Sequence, residues 1–260
     1  MTGHGPVIVV DGLAKTYPPA VRALSGVSFA VRPGEFVGVL GPSGAGKTTL
    51  FRCLTGLTRP DAGAVLVNGR DVARAGGRNL RAARNDVALI FQQFNLIRRL
   101  TALHNVLAGR LPVVPTWRVL LRQFARADRQ LALGCLDTVG LLDRASARAD
   151  QLSGGQQQRV AIARALAQDA KVILADEPVA SLDPESSATV LESLRAAAAA
   201  GVAVIASLHQ VHLALQYADR IIALRSGALI EDAPTTSFDS RALEQIYERA
   251  GDPRRGASVA

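Results

Sequence analysis

The sequence predicts an α/β fold: a sheet with crossover helices, an antiparallel β region near the start, and a helical subdomain inserted midway. Three observations predict it. Short apolar, β-branched runs at residues 7–10, 36–40, 64–67, 87–91, 172–175, 202–206 and 221–224 are each bounded by Gly, Pro, Asp or Asn, the punctuation of strands. Several alternate with helical periodicity at residues 47–57, 156–167 and 184–199, the pattern of strands joined by crossover helices. Between about residues 92 and 165 strand signals stop, and helical spacing takes over at 102–108 and 130–139.

Taken in order, residues 7–31 read as antiparallel β, and FVGVL at 36–40 is a strand leading into the glycine-rich GPSGAGKT at 41–48. Inside the helical stretch, LPVVPTWRVLLRQFARADRQ carries two prolines and the only tryptophan, so it reads as a loop followed by a helix. The alanines at 196–200 read as a helix end closed by Gly201. No repeat and no heptad pattern is present. The expected organisation is one domain over residues 1–250, with its core at about 1–91 and 166–235, the helical subdomain at about 92–165, and a basic, disordered tail at 251–260.

At 260 residues with 48% apolar content, the chain has enough material for a substantial core. The net charge of +8 is carried almost wholly by arginine, since only Lys15, Lys47 and Lys171 are lysines. The arginines are scattered and aromatics make up 4%, so a stacking surface for nucleic acid is poorly supplied, and no nucleic-acid partner is expected. Cys53 and Cys135 lack metal spacing and read as idle buried thiols. No secretory signal is expected at the N-terminus. The longest segment without Lys, Arg, Asp or Glu, residues 196–218, contains His209, Gln210, His212 and Gln216, and a glycine interrupts its alanine run. It fails as a membrane span, so any link to a membrane is expected to run through a partner.

GPSGAGKT follows a strand and opens a helix, the context a phosphate-binding loop requires. Gly41, Pro42, Ser43, Gly44, Ala45 and Gly46 would turn backbone N–H groups around a phosphate at the positive end of the new helix. Lys47 would reach the β and γ oxygens, the Thr48 hydroxyl would ligate Mg2+, and Thr49 continues the loop into the helix. KVILADEP, from Lys171 to Pro178, is an apolar strand ending in adjacent carboxylates. Asp176 is the candidate metal ligand and Glu177 the candidate general base. LSGGQQQR, at 152–159, offers a capping box through Ser153 and Gln156 at a helix start. That leaves Gly154 and Gly155 unexplained, because glycine in a helix costs roughly 1 kcal/mol against alanine. Bare backbone at a helix N-terminus suits a second phosphate-binding surface.

In that order the three segments resemble the ATPase subunits of ABC transporters, and the resemblance extends from about residue 7 to 248. It implies a P-loop NTPase of ABC ATPase type with a RecA-like core, ATP and Mg2+ as cofactors, and a head-to-tail dimer of two copies. In that dimer Ser153, Gly154, Gly155 and Gln156 would touch the γ-phosphate of ATP bound to the other copy. Tyr17 resembles the aromatic residue that stacks on adenine. Gln92 matches the glutamine that touches Mg2+ and links the core to the helical subdomain, with Gln93 as the neighbouring alternative. Asp183 in SLDP matches the D-loop aspartate and is also a good N-cap ahead of Pro184. His209 in SLHQ matches the switch histidine that bonds the γ-phosphate.

ILADEP, SLDPES, LHQV, FNLI with RRLT, and PTWR followed by ADRQLAL resemble the phosphonate importer ATPases. Many ATPases of the wider family carry Leu where this chain has Ala175 and Asp where it has Gln210; after LHQV, where acidic residues are common, it has His212. The resemblance implies ATP-driven uptake of phosphonates or related organophosphorus anions, on the cytoplasmic face of the inner membrane. The implied partners are two permease subunits and, indirectly, a periplasmic or lipid-anchored binding protein. The alternatives are a polar amino-acid importer or a lipoprotein-release exporter, which the co-purifying membrane proteins would separate. A non-transport ABC ATPase is disfavoured because the chain has neither a coiled-coil insertion nor a tandem domain.

Overall fold

A computed structural model describes residues 5–91, 94–115, 124–180 and 182–238. Strands β1 (Ile8–Tyr17) and β2 (Val21–Val31) form an antiparallel hairpin. After β3 (Phe36–Leu40) come α1 (Lys47–Leu54), β4 (Ala62–Val67) and β5 (Arg70–Asp71), and then α2 (Gly77–Asn85) leads to β6 (Val87–Ile90). The helices α3 (Ala102–Leu107), α4 (Arg126–Thr138) and α5 (Gly154–Ala167) follow. The chain returns through β7 (Val172–Asp176), α6 (Pro184–Ala199), β8 (Ala203–Ser207), α7 (Val211–Tyr217), β9 (Arg220–Arg225) and β10 (Ala228–Pro234). A four-stranded antiparallel sheet has the order β2-β1-β4-β5, and a six-stranded sheet the order β10-β9-β3-β8-β7-β6. In the larger sheet only β10 runs antiparallel to its neighbour.

The strands of the larger sheet sort their side chains by parity. On one face Phe36, Leu40, Ile90, Ile173, Val204 and Ile221 join a core that includes Val106 of α3, Leu136 of α4, Ile162 of α5 and Leu191 of α6. On the other, Val37, Val39, Val172, Leu174, Ile205 and Ile222 join one that includes Leu50 and Leu54 of α1 and Ile8, Val27 and Val65 of the smaller sheet. Both faces are buried, so these strands read as continuous apolar runs and not as polar–apolar alternation. Each buried Leu or Ile side chain stabilises the fold by roughly 1.5–3 kcal/mol before chain entropy is counted.

Between residues 94 and 165 the described chain carries no strand beyond an isolated bridge from Thr101 to Arg148. Part of the proline- and tryptophan-bearing segment, residues 116–123, lies outside the described residues. The start of α3 is tied down by Ala102 N–H to Ala147 O and Leu103 N–H to Ala145 O, and buried Asn105 donates to the carbonyls of Ile97, Leu100 and Thr101.

Four elements went unread in the sequence. α2 is polar nearly all round and buries only Ala83, so it has no apolar stripe. α7 spans seven residues, fewer than two helical periods need. β5 has two residues, and β10 is a half-buried edge strand whose apolar run, Ala228 to Ile230, is only three residues long. Near the N-terminus of the larger sheet's edge, Arg220 donates to Glu35 at 3.0 Å, to Ala30 O at 2.9 Å and to Asp232, which joins β9 to β10 and to β2.

Candidate functional site

The loop between β3 and α1 is shaped by close backbone approaches. Gly46 has φ 107°, and a Cβ there would lie 2.3 Å from Ala23 O of β2; Gly41, at φ 152°, would place one 2.3 Å from Leu224 O of β9. Neither position admits another residue without moving backbone. Gly46 is also the N-cap of α1 and supplies no side-chain acceptor, so the first N–H groups of that helix remain available to an anion. Lys47 is 6% exposed, and its ammonium donates to Gly41 O at 2.6 Å and Pro42 O at 3.3 Å. Burial lowers the pKa of this ammonium, and the carboxylates of Glu177 and Asp176 oppose the shift.

Strands β3, β8 and β7 are consecutive neighbours, so their carboxyl ends deliver three loops to one edge of the sheet, where ligands of open α/β folds bind. Asp176 ends β7 opposite Ser207 of β8. The Ser207 hydroxyl donates to Asp176 Oδ1 at 2.8 Å and accepts the backbone N–H of Glu177 at 2.8 Å. Glu177 turns at φ 51°, in the left-handed region, and its Oε1 lies 2.5 Å from His209 Nε2. Burial pushes the Asp176 carboxyl above its usual pKa, and the Ser207 hydrogen bond and the Lys47 charge pull it back.

Two cavities meet at α1. One, of about 280 Å³, is lined by Ser43, Gly44, Ala45, Gly46, Lys47, Thr48, Thr49, Glu177 and His209, with Val21, Arg22 and Ala23 of β2 as its other wall. The second, of about 300 Å³, is lined by Thr48, Phe51, Arg52, Leu57, Leu89, Phe91, Asn95 and Asp176. Thr48 lines both, one with the loop residues and the other with Asp176. A hydroxyl and a carboxylate are the hard oxygen donors that Mg2+ takes, so the donor chemistry fits that ion.

Other expected site residues lie elsewhere. Ser153 caps α5, accepting from Gln156 N–H at 3.3 Å, while Gln156 Oε1 accepts from Ser153 N–H at 3.0 Å. Neither residue, nor Gly154 or Gly155, lines either cavity. Asp183 caps α6, accepting from Ser186 N–H at 2.9 Å, with its pKa lowered by that bond. Tyr17 sits at the end of β1 beneath the Lys15 ammonium, 5.6 Å from the ring centroid; it does not line the first cavity, although its cross-strand partner Val21 does. Gln92 and Gln93 lie outside the described residues. Sequence reasoning missed Ser207 and Arg22. The first was visible as the one polar residue closing the run AVIAS, two positions before His209; the second carried no signal, because only the fold brings β2 to the loop.

The family model described as ABC transporter matches residues 24–180. The chain belongs to the ABC transporter family. This ABC protein is 48% identical over 240 residues to the hypophosphite import ATP-binding protein HtxD of Stutzerimonas stutzeri, a match covering 92% of this chain and 70% of that one. It is 48% identical over 250 residues to the phosphonates import ATP-binding protein PhnC 1 of Cupriavidus metallidurans, covering 94% and 88% respectively. Among solved structures, it resembles the ATP-binding cassette MJ0796, a dimer in a post-hydrolysis state bound to ADP and Pi. That match has a TM-score of 0.75 and 34% identity, and covers 89% of this chain and 100% of that one. The six-stranded sheet, the smaller antiparallel sheet and the helical insertion are thus the ABC ATPase fold expected of the sequence.

Proposed function

We infer that two copies of this ABC protein close on ATP and hydrolyse it, driving import of phosphonates or related small organophosphorus anions through a permease. The observation that supports this most directly is the meeting of Lys47, Thr48, Glu177 and His209 around one cavity at the carboxyl ends of β3, β7 and β8. In this reading the loop 41–49 cradles the phosphates and Lys47 leaves its carbonyl partners for the β and γ oxygens. Glu177 takes the proton of the attacking water, and His209, already in contact with Glu177, bonds the γ-phosphate. Thr48 and Asp176 would hold Mg2+, with Gln92 completing the set, and the ion would neutralise charge on the phosphate oxygens. Tyr17 would stack on adenine, and Asp183 would reach the dimer seam.

Ser153, Gly154, Gly155 and Gln156 would complete the partner's site, which accounts for their absence from this chain's own cavities. The dimeric state of the MJ0796 cassette supports that arrangement. Among the described residues no helix is long and apolar enough to cross a membrane, so attachment at the cytoplasmic face would run through permease subunits. The second cavity, lined in part by exposed Leu57 and Phe91, would receive a permease segment. The relatives named for hypophosphite and phosphonate import support the substrate class.

The test is reconstitution with the co-purifying permease and measurement of ATPase stimulation by binding proteins loaded with phosphonate, hypophosphite, phosphite, phosphate or amino acids. Stimulation by the first three supports the reading, and stimulation by amino acids alone overturns the substrate assignment.

A further inference from the structure

We propose that Ser207 is a positioning residue that holds the metal-binding and proton-accepting carboxylates of the ATP site in fixed relation through its single hydroxyl. The proposal rests on the reading above, in which Asp176 serves the metal and Glu177 the water. Ser207 is fully buried at the end of β8, the lone hydroxyl after four apolar residues. A hydroxyl carries one proton. Its oxygen receives the Glu177 N–H at 2.8 Å and its proton goes to Asp176 Oδ1, also at 2.8 Å, so the one hydroxyl accepts from one residue and donates to the other.

The consequence reaches His209. Glu177 adopts φ 51°, which a residue with a side chain holds only when its surroundings impose it. The bond from Glu177 N–H to Ser207 fixes the peptide just ahead of that turn, and the turn brings the Glu177 carboxylate to within 2.5 Å of His209 Nε2. His209 is itself two residues beyond Ser207. One side chain therefore references both carboxylates to the loop that carries the histidine. Alanine at this position would keep the backbone pairing of Ser207 with Asp176 and Val39 while releasing both side-chain bonds.

The experiment compares the full-length dimer with Ser207→Ala, Ser207→Cys, Ser207→Thr and Glu177→Gln. The readouts are melting temperature, binding of a fluorescent ATP analogue in EDTA, the Mg2+ concentration for half-maximal ATPase, and turnover. Ser207→Ala and Ser207→Cys are expected to bind nucleotide in EDTA within about twofold of the parent, to lose about tenfold or more in turnover, and to need several-fold more Mg2+. Ser207→Thr, which keeps the hydroxyl, is expected to recover most of the turnover. A residue of purely structural use would lower melting temperature and leave the Mg2+ requirement where it was. Parent-like turnover and Mg2+ requirement in the Ala and Cys variants, beside an inactive Glu177→Gln, overturn the proposal and leave the ATPase reading standing. Equal losses in the Ala and Thr variants also overturn it. Normal hydrolysis by Glu177→Gln overturns the reading and the proposal together.

Discussion

The Glu177 carboxylate and the His209 imidazole touch at 2.5 Å, while the neighbouring Asp176 carboxylate is committed to Ser207. Adjacent carboxylates thus have separate partners, and a carboxamide at 177 keeps the shape while removing the proposed base. Glu177→Gln is expected to bind ATP as the parent does and to lose roughly 10²–10⁴-fold in turnover; single-turnover assays on the pure dimer check it. Two other single groups bear on pH. Burial raises the thiols of Cys53 and Cys135 to about 11, so at pH 8 almost none is thiolate in the folded chain. Both are expected to resist alkylation at pH 8 until denaturant is added; rapid stoichiometric labelling of the native protein would falsify that. Because the folded pKa lies above the unfolded one, the contribution of these two thiols to stability is fully present below about pH 8.5 and is lost progressively as pH rises toward 11.

At the level of the element, the N-terminus of α5 shows both what a sequence discloses and what it hides. The capping box was legible in Ser153 and Gln156, because it is a local, three-residue device. The paired glycines were not resolved by sequence. The structure separates them: a Cβ on Gly155 would lie 2.7 Å from Ser186 Oγ and 3.1 Å from Ser186 Cβ of α6, whereas Gly154 faces open space. Gly155 thus has a packing reason in the approach of two helices distant in sequence, beside the phosphate role proposed for it, whereas Gly154 has no packing reason. Gly155→Ala is expected to lower stability modestly relative to Gly154→Ala, because Ser186 Oγ must turn away and the approach to Ser186 Cβ must open by a few tenths of an ångström. Gly154→Ala is expected to cost no stability, given alanine's better helix propensity, and yet to lower turnover in the dimer. Thermal melts beside ATPase assays decide it, and unchanged turnover in Gly154→Ala would remove that residue from the site. The five parallel strands of the larger sheet and helices α5 and α6 were readable from their apolar runs and periods; α2 and β10, the sheet's antiparallel strand, were hidden because they bury too little.

For the whole molecule, each copy lines one cavity with residues 43–49 and holds its LSGGQ segment outside both cavities, so in the proposed reading a complete site draws on two copies. Mixing a Lys47→Ala chain with a Gly154→Asp chain is expected to give hybrids with one doubly damaged and one intact site. ATPase activity well above that of either variant alone supports shared sites, and its absence in verified hybrid dimers rejects them. The motifs told where phosphate chemistry lies but not how it is spaced, because the spacing comes from a sheet with two buried faces. There β7 acts as a ruler. Ile173 and Ala175 face one core, Val172 and Leu174 the other, and Asp176 closes the count on the side of α1. Removing one residue from this strand would deliver the carboxylate to the wrong side of the sheet. Adding two would keep the side but overshoot by roughly 6.6 Å. The site is therefore indexed by an integer, the number of apolar residues that precede Asp176 in β7, and exchanges of one apolar residue for another there should matter less than a change in their number.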